Sequence, residues 1–225
     1  MKKVLSLVAA LATLAGTASA APYYLPQPAG GALTPYDWQP VYSIDGIYNW
    51  GEKSGTPDTA GARLNFSLYS DANSTVRHQF TISAAYEVGS TDRQLHFVDD
   101  SYTVNIDKLK LELEKLPVTL GYDINIAISD HVLLDFGVKG GYAFGFLTGK
   151  VKNGTVGGHS LNGYKEDIDT SGFTYGLTAG IKIQFSEAIY ARLAYEFART
   201  YFTEHLPSHV NINQHGIVLG VGCTF

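Results

Sequence analysis

The sequence is poor in cysteine, methionine and charged residues, and these shortages exclude several classes of protein. Among 225 residues there are one cysteine (Cys223) and one methionine, and charged residues make up only 16%. A single cysteine excludes an intramolecular disulfide and any metal site built from several cysteines. Beyond the N-terminal residues, no run approaches about eighteen consecutive apolar residues, which excludes a conventional multi-helix membrane protein.

The residues that are abundant favour β-structure. Aromatic residues make up 12% of the chain, and there are 24 glycines. Aromatic residues are enriched in strands and glycine in turns, so this composition argues against an all-α fold. Hydrophobic residues reach 45%, which is sufficient for one sizeable folded unit and argues against a disordered chain.

The N-terminal residues have the features of a cleaved secretory signal. Lys2 and Lys3 precede an apolar stretch over residues 4–16, and Ala18-Ser19-Ala20 follows as a small-residue motif of the kind found before a cleavage site. We therefore predict a signal peptide over residues 1–20, cleaved between Ala20 and Ala21. Cleavage would leave 14 basic and 21 acidic residues, a formal charge of −7. An acidic chain without a Lys/Arg block predicts no nucleic-acid partner.

From residue 41 onward, apolar residues recur at every second position, which is typical of β-strands. In one segment Phe136, Val138 and Tyr142 alternate with Gly137, Lys139 and Gly141. The alternation predicts eight strands, near residues 41–50, 61–70, 76–88, 102–127, 132–148, 172–185, 189–199 and 210–225. The connections at 71–75, 128–131 and 186–188 are short, whereas those at 51–61, 89–101, 149–171 and 200–209 are long and polar.

One predicted strand changes phase. The leucines at 109, 111 and 113 are at odd positions, but from Leu116 to Ile126 the apolar residues are at even positions. Pro117 lies beside the switch, so we expect a β-bulge or break there. The part over residues 102–114 is expected to project beyond the membrane and to offer an edge for the addition of a partner strand.

An even number of alternating strands, with short turns at one end and long loops at the other, predicts an eight-stranded antiparallel transmembrane β-barrel. The predicted domains are the signal peptide, a Pro/Tyr-rich periplasmic lead-in over residues 21–40, and the barrel over residues 41–225. The alternative is a soluble, lipocalin-like barrel with the apolar face inside. Against that alternative, the opposite face is rich in small residues, and the aromatic residues gather near strand ends.

The opposite face also carries ten charged residues, five of each sign, which suits a closed interior in which charges are paired. We predict that they form a charge network in the lumen. Its members are Asp45, Arg63, Arg77, Glu87, Asp123, Asp135, Lys139, Lys182, Arg192 and Glu196.

Three segments together with the signal sequence resemble the small eight-stranded outer-membrane proteins of the OmpA/OmpX/Opa-like superfamily. These segments are Leu116 to Tyr122, Gly137 to Phe144, and His215 to Phe225. The resemblance implies a location in the cell outer membrane of a Gram-negative-type cell, with lipid around the barrel and both termini periplasmic. A terminal aromatic residue on an alternating strand resembles the signal read by the barrel-assembly machinery, which implies that role for Phe225.

Three functions are compatible with this pattern. The first is a non-enzymatic structural or adhesion-like protein with a side-chain-filled lumen, whose long extracellular loops contact a protein or glycan partner. The second is a narrow gated channel in which the paired charges rearrange. The third is an outer-membrane lipid hydrolase using Ser208 with His205 or His209, and Glu204 as orienting group. Ser208 and His209 are adjacent and would point in opposite directions on a strand, so no catalytic residue is predicted. No metal site and no cofactor are predicted either.

Overall fold

The computed structural model describes residues 38–52, 56–70, 75–99, 102–186, 188–203 and 210–224, and these residues form strands and their connections. The predicted signal peptide, Phe225 and most of the predicted lead-in lie outside the described residues. The strands are β1 (Gln39–Gly51), β2 (Asp58–Tyr69), β3 (Val76–Asp99), β4 (Tyr102–Ala127), β5 (Val132–Val156), β6 (His159–Ser160), β7 (Lys165–Gln184), β8 (Ile189–Phe202) and β9 (Val210–Thr224).

Eight of these strands close into a ring. Sequential neighbours pair antiparallel, β5 pairs with β7, and β9 returns to pair with β1; the two-residue β6 adds to the end of β5. A line of paired residues runs from Val41 through Ser67, Thr81, Gly121, Lys139, Gly176, Ala198 and Gln214 back to β1 at Gly51. The line returns ten residues further along β1, a stagger that requires strands tilted by about 40° to the barrel axis.

The predicted eight-stranded antiparallel barrel is confirmed, and its apolar face points outward. Leu64, Leu120 and Leu219 are 38%, 65% and 60% exposed, whereas the alternating polar positions are buried. This arrangement contradicts the lipocalin-like alternative, in which the apolar face would line the interior. The outer surface is suited to lipid.

The two ends of the barrel differ. At one end lie the connections 70–75, 128–131 and 185–188, together with the start of β1 and the end of β9; we call this the turn end. The opposite end carries the remaining connections, and we call it the loop end. Pro40 is already part of β1 and pairs with Leu68 on β2, whereas pairing with β9 begins only at Val41. A proline at the start of a strand is tolerated because no bond to the other neighbour is needed there.

Two of the predicted long loops are wrong in extent, because they consist largely of strand. β3 continues through residues 89–99, and β5 and β7 occupy most of 149–171. In the second of these segments, Gly157 and Gly158 have positive φ angles of 55° and 82° and make a two-residue hairpin turn between β5 and β6.

The extended strands form a projecting sheet beyond the loop end of the barrel. It comprises residues 91–99 of β3, 102–111 of β4 and 149–156 of β5, with β6 alongside. The expectation that β4 offers a free edge is wrong, because β4 pairs with β3 on one side and with β5 on the other. The edge belongs instead to β3, since β2 pairs with β3 only as far as Ser90.

The predicted β-bulge at Pro117 is also wrong. The register between β3 and β4 is unchanged between Ala84↔Val118 and Glu87↔Lys115, and Pro117 pairs with Ala143 of β5. Proline removes one backbone donor without adding a residue, so it interrupts the β3 ladder locally and leaves the register intact. The register shifts occur further out, near Arg93 and Lys108.

Candidate functional site

The barrel interior is the first candidate site, and strand alternation places all ten predicted charged residues on its inward face. Inward glycines make room for these long side chains. A Cβ on Gly137 would lie 2.6 Å from the Thr178 hydroxyl, and a Cβ on Gly176 would lie 2.8 Å from the Lys139 side chain. These distances are shorter than ordinary contacts, so the glycines keep the charges together.

One cluster of interior charges centres on Glu196 of β8. Its Oε1 accepts a hydrogen bond from Arg63 Nη2 at 2.9 Å and lies 2.6 Å from Lys139 Nζ. Arg63 also lies 3.8 Å from Asp45, whose carboxylate accepts a hydrogen bond from Asn65 at 2.9 Å. Side chains from β1, β2, β5 and β8 therefore meet across the full width of the interior.

A second cluster centres on Asp135 and lies nearer the turn end. Its carboxylate contacts Lys182 Nζ at 3.0 Å and Arg192 Nη2 at 2.6 Å. Arg192 also lies 3.6 Å from Asp123 and 4.0 Å from Asp45, which links this cluster to the first. Arg77 lies closer still to the turn end, where its Nη1 donates to Gln184 at 3.2 Å.

A third cluster joins Glu87 to Lys115 near the loop end. Lys115 Nζ lies 3.0 Å from the Glu87 carboxylate and donates to Gln214 at 2.8 Å, and Lys115 is only 2% exposed. Glu87 also accepts from Asn49 and Thr59, each at 2.9 Å. The sequence prediction missed Lys115 because a bulge at Pro117 would have turned it outward.

The interior becomes apolar at the loop end. Leu113, Ala143 and Phe202 are fully buried there, with Ile212 at 5% exposed, and Leu147 and Val210 pack against them. Along β8 the inward residues therefore run from Arg192 through Glu196 to Phe202. This cluster explains the phase change in β4: the inward face, not the chain register, changes from polar to apolar at this level.

The space left between the interior side chains is small. A cavity of about 30 Å³ lies among Arg63, Lys139 and Arg192, and one of about 10 Å³ lies between Glu87, Lys115 and Glu196. Volumes of this size hold one or a few water molecules. The described interior residues thus fill most of the cross-section.

Aromatic side chains form a belt at each end of the outer surface. At the turn end, the ring of Phe80 lies 5.4 Å from Trp38 and 4.9 Å from Tyr122; at the loop end, Trp50 lies 6.3 Å from Tyr195. Trp38 and Trp50 are twelve residues apart, which at about 3.3 Å per residue and a tilt of about 40° separates them by roughly 30 Å along the barrel axis. This matches the thickness of a bilayer core.

The projecting sheet is the second candidate site, and its outward face carries ion pairs. Glu112 at its base lies 2.8 Å from Lys110 and 2.7 Å from Lys150, and Lys108 lies 3.1 Å from Asp92. The hydrogen bonds from Lys110 and Lys150 lower the pKa of Glu112 to about 2. The inward face is apolar, with Ile106 and Val151 8% and 6% exposed.

Several predicted residues lie outside the described part of the chain: Glu204, His205, Ser208, His209, Phe225, Ala20 and Ala21. Within the described ranges, no group of three or more His, Cys, Asp or Glu side chains is arranged to hold a metal ion. None of the described residues forms a helix that is long and apolar enough to cross a membrane.

A family model described as the outer membrane protein beta-barrel domain matches residues 5–225. Among solved structures, the chain is similar to Neisserial surface protein A, with 12% identity over 84% of this chain and 97% of that one, and a TM-score of 0.44. It is also similar to Ail, the attachment invasion locus protein of Yersinia pestis (14% identity, 84% and 97% coverage, TM-score 0.43), and to the N-terminal β-barrel domain of OprF from Pseudomonas aeruginosa (15%, 84% and 99%, 0.41).

Comparison with curated protein sequences gives no match. The family model nevertheless spans almost the whole chain, and it agrees with a closed ring of eight strands whose outer surface is apolar. The predicted resemblance and the predicted location in the cell outer membrane are confirmed. The chain belongs to the outer membrane protein β-barrel domain family.

Proposed function

We propose that this outer-membrane barrel is a non-enzymatic protein that acts at the cell surface through its projecting sheet and has a lumen closed by side chains. The proposal orients the loop end outward and both termini toward the periplasm. The observation that carries it is the projecting sheet itself, because a structure needed only to span the membrane would end at the aromatic belt.

The clusters inside the barrel support a closed lumen. Three ion-paired clusters, centred on Asp135, Glu196 and Glu87, follow one another along the axis, and the apolar cluster around Phe202 lies beyond them. Moving ions past them would require buried pairs to separate, which is costly in a low-dielectric interior. This arrangement favours a plugged barrel over a narrow gated channel.

The shape of the projecting sheet supports a surface-interaction role. The paired charges on its outward face suit water, whereas residues 91–99 of β3 have no strand partner on their outer side among the described residues. Leu95 beside this edge is 45% exposed. An edge of this kind can accept a strand from a partner protein, and the charged face can contact a protein or a glycan. The proposed role is adhesion-like.

Two further partners belong to the proposal. The outer apolar surface, with Leu120 and Leu219 among its most exposed residues, is in contact with membrane lipid. The proposal also assigns Phe225, which follows β9 in the sequence, as the signal for the barrel-assembly machinery.

Conductance tests the closed lumen. The signal-free protein is refolded, its folded state is verified by the heat-modifiable shift in gel mobility, and it is placed in a planar bilayer. We expect the gel shift without stable conductance steps. Discrete conductance steps from the folded protein would refute the closed lumen and favour a narrow channel as the function.

Trimmed variants test the surface role. The β3–β4 hairpin can be cut at Asp92↔Lys110 without changing the register of the barrel, and the β5–β6 hairpin can be shortened separately as a matched control. We expect cells displaying the first variant to lose binding to host cells or matrix, and cells displaying the control to retain it. Equal binding by both variants at equal surface levels would contradict the role assigned to the β3 edge.

A further inference from the structure

An arginine on the outer surface of the barrel has its positive charge at the level of the loop-end aromatic belt. Arg199 follows Tyr195 and Phe197 at alternate positions of β8, and Tyr195 is 46% exposed on the same outward face. Arg199 is thus on the lipid-facing side of the wall. Its position beside the belt places it where the bilayer core gives way to lipid headgroups.

Aromatic neighbours hold the Arg199 side chain in place. Its guanidinium carbon lies 4.5 Å from the centre of the Tyr201 ring, a cation–π contact. Tyr201 in turn stacks on Tyr175 of β7 at 6.0 Å, and their hydroxyls are 3.5 Å apart. The guanidinium is pre-oriented on an aromatic surface.

The charge of Arg199 is not neutralised by the described part of the protein. No described carboxylate lies within 4 Å of its guanidinium, and its Nε atom is buried without a hydrogen-bond acceptor. The nearby acid Glu52 accepts a hydrogen bond from Asn213 at 2.6 Å. His215 lies beside Phe197 at 5.3 Å and contacts the hydroxyl of Tyr195.

We propose that Arg199, with the hydroxyls of Tyr175 and Tyr201 beside it, binds a phosphate group of a phosphorylated glycolipid in the outer leaflet. Arginine presents several N–H donors in a planar fork that matches phosphate oxygens. A phosphate at headgroup depth would supply the counter-charge that the described residues do not provide. The choice of a glycolipid rests on the proposed function, because the loop end faces the outer leaflet only in that orientation.

The test uses Trp50, which lies 6.4 Å from His215 beside the site, as a fluorescent reporter. The chain has two tryptophans, so Trp38→Phe leaves Trp50 alone. This protein is refolded in an uncharged, phosphate-free detergent and titrated with diphosphorylated lipid A, dephosphorylated lipid A or phosphatidylglycerol. The Trp38→Phe protein is compared with the same protein carrying Arg199→Gln, Arg199→Lys or, as a matched control, Lys152→Gln on the projecting sheet.

We expect a saturable change with diphosphorylated lipid A and a much weaker one with the other two lipids. Arg199→Gln should weaken apparent binding about tenfold, the usual effect of losing a charge-assisted hydrogen bond. The apparent affinity of Arg199→Lys should lie between those of the parent and Arg199→Gln, and Lys152→Gln should bind like the parent. Equal binding of dephosphorylated lipid A, or no loss with Arg199→Gln, would overturn the phosphate site. Equal binding of phosphatidylglycerol would overturn the glycolipid as its occupant.

The two arginine variants and the lipid series provide separate tests, so poor folding of one variant leaves the others informative. Failure here is also distinguishable from failure of the proposed function. The conductance and cell-binding tests of the proposed function do not depend on Arg199. The orientation of the barrel is tested separately, by protease cleavage of the projecting sheet on intact cells.

Discussion

Replacing Glu196 by glutamine should strongly destabilise the barrel. The Glu196 carboxylate is 1% exposed and contacts two cations, Arg63 at 2.9 Å and Lys139 at 2.6 Å. Glu196→Gln preserves the shape of the side chain and removes the charge, so the buried Arg63 and the partly buried Lys139 lose their shared partner. Breaking a buried ion pair in this way costs about 3–5 kcal/mol.

The assay is equilibrium unfolding of the refolded protein in urea, with the heat-modifiable gel shift reporting the folded fraction. Glu114→Gln is the matched control, because that carboxylate is exposed and, among the described residues, accepts a hydrogen bond from Tyr86 at 3.0 Å. We expect it to change stability by less than about 1 kcal/mol. A second variant, Glu196→Gln with Lys139→Met, removes one charge of each sign and should recover part of the loss. A loss below about 1 kcal/mol for Glu196→Gln alone would refute the view that these charges form a dry, closed network.

Three further outcomes are expected. Ile82 is 50% exposed and lies four residues from His78, whose ring stacks on Tyr122 of the turn-end belt, and four residues from Tyr86 near the loop end. Ile82→Arg should therefore cost about 2–4 kcal/mol, measured as folding yield in lipid vesicles, whereas Gln94→Arg further along the same strand should fold like the parent. Phe202→Ala should lower stability by about 3–5 kcal/mol in urea unfolding, because Phe202 is fully buried; an unchanged midpoint would contradict its packing role. The pKa of Glu112 is lowered, so its ion pairs should persist as the pH falls through its ordinary range and be lost only near pH 2; titration near pH 4.5 in a carboxyl NMR experiment would contradict the lysine contacts.

Most of the barrel could be predicted from the sequence because successive side chains of a membrane-spanning strand face the lipid and the interior in turn. That rule places Arg63, Lys139 and Glu196 on the inward face before any contact is known. It does not give the contacts between them, which depend on the stagger of the ring. The pairing of Arg63 with Glu196 joins residues 133 positions apart.

The errors all concern the loop end of the barrel and the projecting sheet beyond it, where a second rule applies. In water a barrel buries apolar residues inward, so Leu113 follows the soluble pattern while Lys115 two residues away follows the membrane pattern. One inserted residue would produce the same change in the sequence, and Pro117 made that explanation attractive. An inserted residue and an interior that changes from polar to apolar give the same sequence pattern, and only the strand register distinguishes them. By contrast, the hairpin at Gly157-Gly158 carried its signal in the sequence, since two glycines between strand-like residues favour a tight turn.

The ion pairs of the projecting sheet also bear on how the barrel enters the membrane. In the proposed orientation, the β3–β4 hairpin has to cross the apolar layer to reach the outside, and it carries the charged residues Asp92, Lys108, Lys110 and Glu112. Each charge alone would add a few kcal/mol to the barrier at the bilayer centre. Lys108 and Asp92 lie on opposite strands of the hairpin, so they cross as an ion pair if the two strands pair first. Lys110 and Glu112 lie two residues apart on β4 and pair within that one strand. Local pairing therefore lowers the net charge that the β3–β4 hairpin carries through the apolar layer.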